Sequence, residues 1–228
     1  MTSINLGPRL SAAAELVRHG AYVCDVGTDH AYLPISLCLA GKARGGVVSD
    51  INEGPIQRAK ENINKYGLAG KLTAIRTDGL NGIDIYRPED IMILGMGGEL
   101  IARILADAPW TKQGDVQLCL QPMTHPELLR SFLLENGYSI IDERLATEER
   151  IYQIILARYT GKTEKWSDEE LLLGKINIQR GGTALCELAK RHRNTLLRRA
   201  EGIESSGADA SEQRELIEKL QKITAQGE

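Results

Sequence analysis

The chain lacks any apolar run long enough to cross a bilayer. Its N-terminal stretch "MTSINLGPRLSAAAEL" is broken by polar and charged residues where a secretory signal needs an unbroken apolar segment. A cytoplasmic protein with no membrane partner is therefore expected. The four cysteines (Cys24, Cys38, Cys119 and Cys186) include no CxxC pair, which excludes a disulfide framework and a zinc site of the usual spacing, so no metal is expected. A dominant charge sign is also missing: 28 Lys/Arg stand against 31 Asp/Glu, a net charge of −3. Total charge then says nothing about partners, and only local clustering can. There is no low-complexity tract and no long repeat. What is present is 42% hydrophobic residues over 228 positions, enough for a full-sized core in about one or two domains.

Five apolar runs rich in Val, Ile and Leu, "AYVCDVG", "GGVVSD", "KLTAIRTD", "DIMILGMGG" and "VQLCLQPM", each end in a turn signal and are followed by a helix-like segment. That alternation predicts an α/β fold with a Rossmann-like parallel sheet and helices on both faces. "PIQRAKENINKYG" and "HPELLRSFLLENG" open on Pro55 and Pro126 and close on Gly67 and Gly137, the usual asymmetry of a helix start and stop. "LGPRLSAAAELVRHG" reads as an amphipathic first helix with Leu6, Leu10, Ala13, Ala14 and Val17 on one side. "YSIIDERLATEE" and "RIYQIILARY" have too short a connection for a crossover helix, so they should pair as an antiparallel terminal hairpin. From about Gly161 leucine, alanine and charge replace the β-branched runs. There Ser167 to Glu170 fits a capping box, and two amphipathic segments, residues 181–203 and 212–223, predict a helical, coiled-coil hairpin. The expected division is residues 1–160 and residues 161–228.

The stretch "VCDVGTDHAYLP" reads as a strand entering a nucleotide-binding turn, but Asp29 and Ala31 stand where later glycines are usual. A carboxylate in that loop repels a pyrophosphate and welcomes a cation. S-adenosylmethionine, with a sulfonium and an α-ammonium and no phosphate, meets that requirement, whereas an NAD-dependent oxidoreductase does not. The plainer reading is that Asp29 only caps the helix starting near Tyr32. Asp50 ends the second strand within reach of a ribose, or simply caps the next helix. Thr77, Asp78 and Gly79 end the third strand, either as an acceptor for an adenine amino group or as an ordinary turn. The fourth strand ends in "GMGGE", whose glycines leave backbone free to touch a ligand.

Together "DVGTDHAYLP", "SDINEGP", "TDGL", "GMGG" and "LQPM" resemble the bacterial tRNA (adenine(22)-N1)-methyltransferases. The resemblance runs from the first helix to about Tyr159. It implies a class I methyltransferase domain, a helical C-terminal domain, S-adenosylmethionine as methyl donor and tRNA as partner; a monomer is expected. It places Asp25, Gly27, Thr28, Asp29, Asp50, Ile51, Asp78, Gly79, Gly95, Met96 and Gly97 around the methyl donor.

Adenine N1 is unprotonated at neutral pH and needs no base to become a nucleophile, so alignment carries much of the rate, and an acceptor near the ring edge steadies the cationic product. Asp29, His30, Tyr32 and Gln121 are the candidates for catalytic roles. His30 is equally readable as a satisfied loop histidine and Tyr32 as core; as an exposed platform, Tyr32 would lower the cost of unstacking a target base. An Asp/Asn-Pro-Pro-aromatic turn, which serves exocyclic-amine methylation, is absent after the fourth strand. For RNA, "KRHRNTLLRR" places Lys190, Arg191, Arg193, Arg198 and Arg199 on one helix without an acid, suited to phosphates or simply a solvated face. Arg9 and Arg18 on the first helix extend that candidate surface. A methyltransferase acting on another RNA or on a small molecule, and a non-catalytic RNA-binding protein, are the remaining alternatives.

Overall fold

In the computed structural model, which describes residues 4–225, each of the five apolar runs is a strand. The order along the chain is α1 (Gly7–Leu16), β1 (Ala21–Val26), α2 (Tyr32–Leu39), β2 (Ala43–Asp50), α3 (Glu53–Lys65), β3 (Leu72–Arg76), β4 (Asp90–Met96), α4 (Gly98–Ala106), β5 (Gln117–Pro122), α5 (Pro126–Glu135), β6 (Tyr138–Thr147) and β7 (Ile151–Tyr159). They form one seven-stranded sheet ordered β3-β2-β1-β4-β5-β7-β6. β1 to β5 pair parallel with one another, and β7 runs antiparallel to both β5 and β6. The order reverses between β1 and β4, and a doubly wound sheet opens a crevice there, beyond the strands' carboxyl ends.

Period-two alternation divides the strands between two cores. Val23 and Met92 face the side covered by α1, α2 and α3, through Ala13, Ile35 and Ala59. Cys24, Ile91 and Ile93 face the side covered by α4 and α5, through Ile101, Leu105 and Leu129. All four cysteines are free and buried. Across α5, β6 and β7 the buried Arg130 donates through Nε to Glu143 Oε1 at 2.8 Å and through Nη2 to Gln153 Oε1 at 2.8 Å. Breaking such a pair leaves a charge without its partner in the core, which locks the antiparallel hairpin to its helix. α3 begins two residues earlier than the proline suggests, at Glu53, because Pro55 still lies in the first turn, where no N–H is needed.

The chain divides into two units, the first ending at Glu164 and the second beginning at Lys165. In the second, α6 (Asp168–Leu173) opens with the Ser167/Glu170 capping box. α7 (Lys175–Arg180), which the sequence pattern did not announce, follows it across Gly174 at φ +93°. The long α8 (Thr183–Ser205) then packs on α9 (Ser211–Ala225) through Ala200, Ala210 and Ile217, with Leu196 and Ile203 at the margin. Arg214 joins the two helices by donating to both carboxylate oxygens of Glu204, at 2.8 and 2.7 Å.

Candidate active site

A cleft of about 360 Å³ opens at the tips of β1 and β4, lined by Arg9, Asp25, Gly27, Thr28, Leu94 and Gly95, with Asp29, His30 and Tyr32 along the loop that borders it. A larger cavity of about 550 Å³ lies elsewhere, lined by Arg18, Glu89, Trp110 and Asp115 at the starts of β4 and β5. Ligands of parallel sheets bind at the strands' carboxyl ends, so the smaller cleft is the candidate site.

The β1–α2 loop is shaped by its backbone. Gly27, at φ +77°, and Thr28 both donate their N–H groups to Ser49 O of β2, at 2.8 and 3.1 Å. A Cβ on Gly27 would lie 2.1 Å from Met96 Cε, the movable end of a flexible side chain, so the positive φ rather than space calls for glycine here. The buried Thr28 hydroxyl accepts the Ala31 N–H at 3.0 Å, and Ala31 is the left-handed N-cap of α2. Thr28, not Asp29, therefore secures this turn.

Two acids of the loop have opposite surroundings. Asp25 is buried in the cleft wall, and no basic side chain pairs with it among the described residues. Burial raises its pKa to about 6, against a hydrogen bond from Thr28 that lowers it. Asp29 is exposed and already compensated: Arg58 donates to its Oδ1 through Nη2 and, at 3.1 Å, through Nε, and His30 Nε2 lies 3.1 Å from Oδ2. The Arg58 hydrogen bond holds its carboxyl below the usual range. A buried carboxylate without a counter-charge fits a cationic ligand group; an exposed one already carrying a guanidinium contributes less. Arg58 and His30 thus compensate Asp29, whereas Asp25 has no such partner among the described residues.

Around this centre the remaining candidates separate. His30 and Tyr32 stack, with ring centroids 5.1 Å apart and planes 12° from parallel, and Tyr32 is exposed rather than core. Asp50 uses Oδ1 to accept the Asn52 N–H at 2.7 Å and does not cap α3; the exposed Ile51 follows it. Thr77, Asp78 and Gly79 form a real turn: Asp78 O accepts the Asn81 N–H at 3.1 Å, and Gly79 stands at φ +56° against Ile104. The exposed Asp78 carboxylate is left outward. Gly97 is the N-cap of α4, and Gly98 lets the loop after β5 approach so closely that a Cβ would meet His125 O at 2.2 Å.

Three assignments change. Gln121 is wholly buried, and its amide is committed at both ends: Oε1 accepts from Arg9 Nη1 at 3.0 Å and from Gly95 N at 3.2 Å, while Nε2 donates to Pro122 O at 2.8 Å. It braces the cleft wall. Arg9 lines the cleft, with its guanidinium 5.4 Å from the Tyr152 ring centroid. Arg18 lies beyond the end of α1 and pairs with Asp90 and Asp115, both at 2.6 Å, at the opposite edge of the sheet. Arg58, Glu148 and Tyr152 carried no local signal, since each reaches the site from a distant part of the chain. In the second unit Arg198 and Arg199 are exposed on α8, Lys190 and Arg193 are half-buried, and Arg191 pairs with Glu187 one turn earlier.

The family described as "Methyltransferase domain" matches residues 6–155. A curated Bacillus subtilis protein, tRNA (adenine(22)-N(1))-methyltransferase, is 37% identical over 177 residues, covering 77% of this chain and 74% of that relative. The solved structure of the B. subtilis m1A22 tRNA methyltransferase superposes with a TM-score of 0.83 at 28% identity, over 98% of this chain and 97% of that one. A Streptococcus pneumoniae structure in complex with S-adenosyl-L-methionine gives a TM-score of 0.86 at 28% identity, over 96% of this chain and 100% of that one.

Proposed function

The chain belongs to the family of tRNA (adenine(22)-N1)-methyltransferases, and from that premise we propose how its own residues carry the reaction. It is an S-adenosylmethionine-dependent enzyme that methylates N1 of an adenine in tRNA. The methyl donor supplies an electrophilic methyl group on a sulfonium; every other requirement falls to the protein.

The observation that carries the site assignment is Asp25, a buried acid in the cleft with no protein cation beside it among the described residues. Once ionised, it suits the donor's α-ammonium, since attraction between opposite charges grows as water is excluded. Gly27, Thr28 and Gly95 shape the surrounding wall, with Met96 and Gly97 following at the end of β4. Asp50 keeps Oδ2 without a protein donor among the described residues and is suited to ribose hydroxyls. Asp78 and Gly79 serve the adenine end. Tyr32, exposed and stacked on His30 beside the cleft, offers a face for a target adenine that has left its base pair. The attacking N1 already carries its lone pair, so these residues act by alignment and by excluding water rather than by taking a proton before attack. The unit ending near residue 160 performs the chemistry, and the exposed arginines of α8 hold tRNA phosphates. The acting unit in this reading is a monomer.

The test is direct. Unmodified tRNA incubated with the protein and S-adenosylmethionine should yield N1-methyladenosine by nucleoside mass spectrometry, and replacing adenine 22 by guanine should abolish it. Methylation of another base, or none, overturns the reading.

A further inference from the structure

Methyl transfer within folded RNA opens a gap in the base stack, because the target adenine has to leave its neighbours to reach the cleft. Something must fill that gap. In the proposed function the donor's nucleoside end lies over the tips of β2 and β3, at Asp50 and Asp78, which leaves the side of β4, β5 and β7 for the acceptor. That side carries a methionine with unusual surroundings.

Met123, the first residue after β5, is exposed. In water a methionine side chain ordinarily samples many rotamers, but this one is gripped. Its sulfur accepts from Arg150 Nη2 at 3.0 Å and from Gln121 Nε2 at 3.6 Å. Its backbone N–H donates to Met96 O at 2.7 Å, which ties the loop after β5 to the end of β4. A thioether is a weak acceptor, so two donors on one sulfur fix its direction more than they add stability. The donors are themselves held. Gln121 is wholly buried, and its oxygen accepts from Arg9 and Gly95. Arg150 lies in the β6–β7 turn, where its carbonyl accepts the Glu148 N–H at 3.0 Å, and its guanidinium stands 4.8 Å from the Tyr152 ring centroid. Arg9, which lines the cleft, lies over the same ring, so the gripped methionine belongs to the cleft's rim. Leu100 and Leu128, each third in the helix that follows β4 or β5, are exposed too and add apolar surface at this edge of the sheet.

We propose that Met123, braced by Arg150, is a wedge that enters the tRNA base stack where the target adenine has left it and packs against the flanking bases. This rests on reading the cleft as the site of tRNA methylation. Apolar side chains inserted between base steps are a known means of holding nucleic acid unstacked. An unbranched thioether covers a flat base without demanding a particular one, and fixing it in advance lowers the cost of ordering it when RNA binds. A protein partner is the other occupant for an exposed methionine, but the tie to Met96 and the shared Tyr152 ring place Met123 beside the methyl-transfer cleft, which favours the substrate.

Fluorescence of tRNA carrying 2-aminopurine in place of adenine 22 decides it, since that base brightens on leaving the stack. With S-adenosylhomocysteine bound, the unaltered protein should raise the signal, Met123→Ala should lose most of the rise, and Met123→Leu should keep it. With ordinary tRNA at saturating concentration, Met123→Ala should lower kcat about 10- to 100-fold and leave S-adenosylhomocysteine affinity in calorimetry within about two-fold. A full fluorescence rise in Met123→Ala, or an unchanged kcat, overturns the wedge. So does a parallel fall in S-adenosylhomocysteine affinity, which makes Met123 a support of the donor cleft. Methylation by an unaltered protein that never brightens the probe overturns it as well, because the adenine then stays in the stack. If the unaltered protein methylates no tRNA at all, the proposed function itself fails.

Discussion

Replacing Asp25 by Asn should make the ligand-free protein more stable at neutral pH while weakening its hold on the methyl donor. The side chains are nearly the same size, so the change removes a charge and little packing. Burial raises the Asp25 pKa from its ordinary 3.8 to about 6. Because the folded state holds this proton more tightly than the unfolded chain, stability is fully present below the unfolded pKa and is lost as pH rises through the folded one. Two pKa units at about 1.4 kcal/mol each place the cost of an ionised Asp25 near 3 kcal/mol above pH 6. The Asp25→Asn variant carries no such cost. For a unit of this size, that difference corresponds to a rise of about 6–12 °C in Tm. Thermal unfolding from pH 4 to pH 8 without ligand should therefore show a gap between variant and parent that opens between pH 4 and pH 6 and stays level above. A variant less stable than its parent at pH 7.5, or a gap independent of pH, would refute the account of Asp25 as a buried acid awaiting a cation.

The same acid sets the pH dependence of binding: S-adenosylhomocysteine affinity should rise toward pH 6 by up to about ten-fold per unit and then level off, and Asp25→Asn should flatten that profile in calorimetry. Gln121→Leu removes the acceptor shared by Arg9 and Gly95; denaturant titration should find a loss of about 1–3 kcal/mol, together with weaker S-adenosylhomocysteine binding. Replacing Arg191, Arg193 and Arg198 with Glu should weaken tRNA binding and reduce its dependence on salt while the donor's affinity stays unchanged; an unaltered tRNA affinity would remove α8 from the RNA surface.

The sheet was legible because its signals are local. Each parallel strand is a short apolar run, β1 to β4 closed by an acid or a glycine and β5 by Pro122, and β6 and β7 announced their antiparallel pairing by a connection too short to cross over. The capping box at Ser167 was legible for the same reason. α7 was not, because its six residues give too little periodicity to distinguish a helical turn from a loop. Within the site, the strand tips were marked by Asp25, Gly27 and Gly95. The partners were unmarked: Glu148 meets Arg9 across a separation of 139 residues, and Arg58 meets Asp29 across 29. Which acids are neutralised is decided by such distant contacts, so sequence alone could count carboxylates without telling which remained uncompensated.

That distinction changes where the preference for a cationic ligand resides. Asp29 occupies a loop position where phosphate-binding turns carry glycine, which made it the natural candidate. Its exposure and its bonds to Arg58 reduce what its field contributes, since an exposed, paired charge in water is worth little. Asp25 lies four residues earlier, at the end of β1, where its backbone is fixed between β2 and β4 by Asp25↔Val48 and Asp25↔Met92 pairing. An acid fixed in that position cannot swing out to solvent, so at neutral pH it must bear an ionisation cost or meet a cation. Binding the donor relieves that cost, and a phosphate brought to the same wall would increase it. In the proposed function, discrimination thus follows from the folding cost of one buried side chain, and the loop carboxylate is free to organise Arg58 and His30 instead.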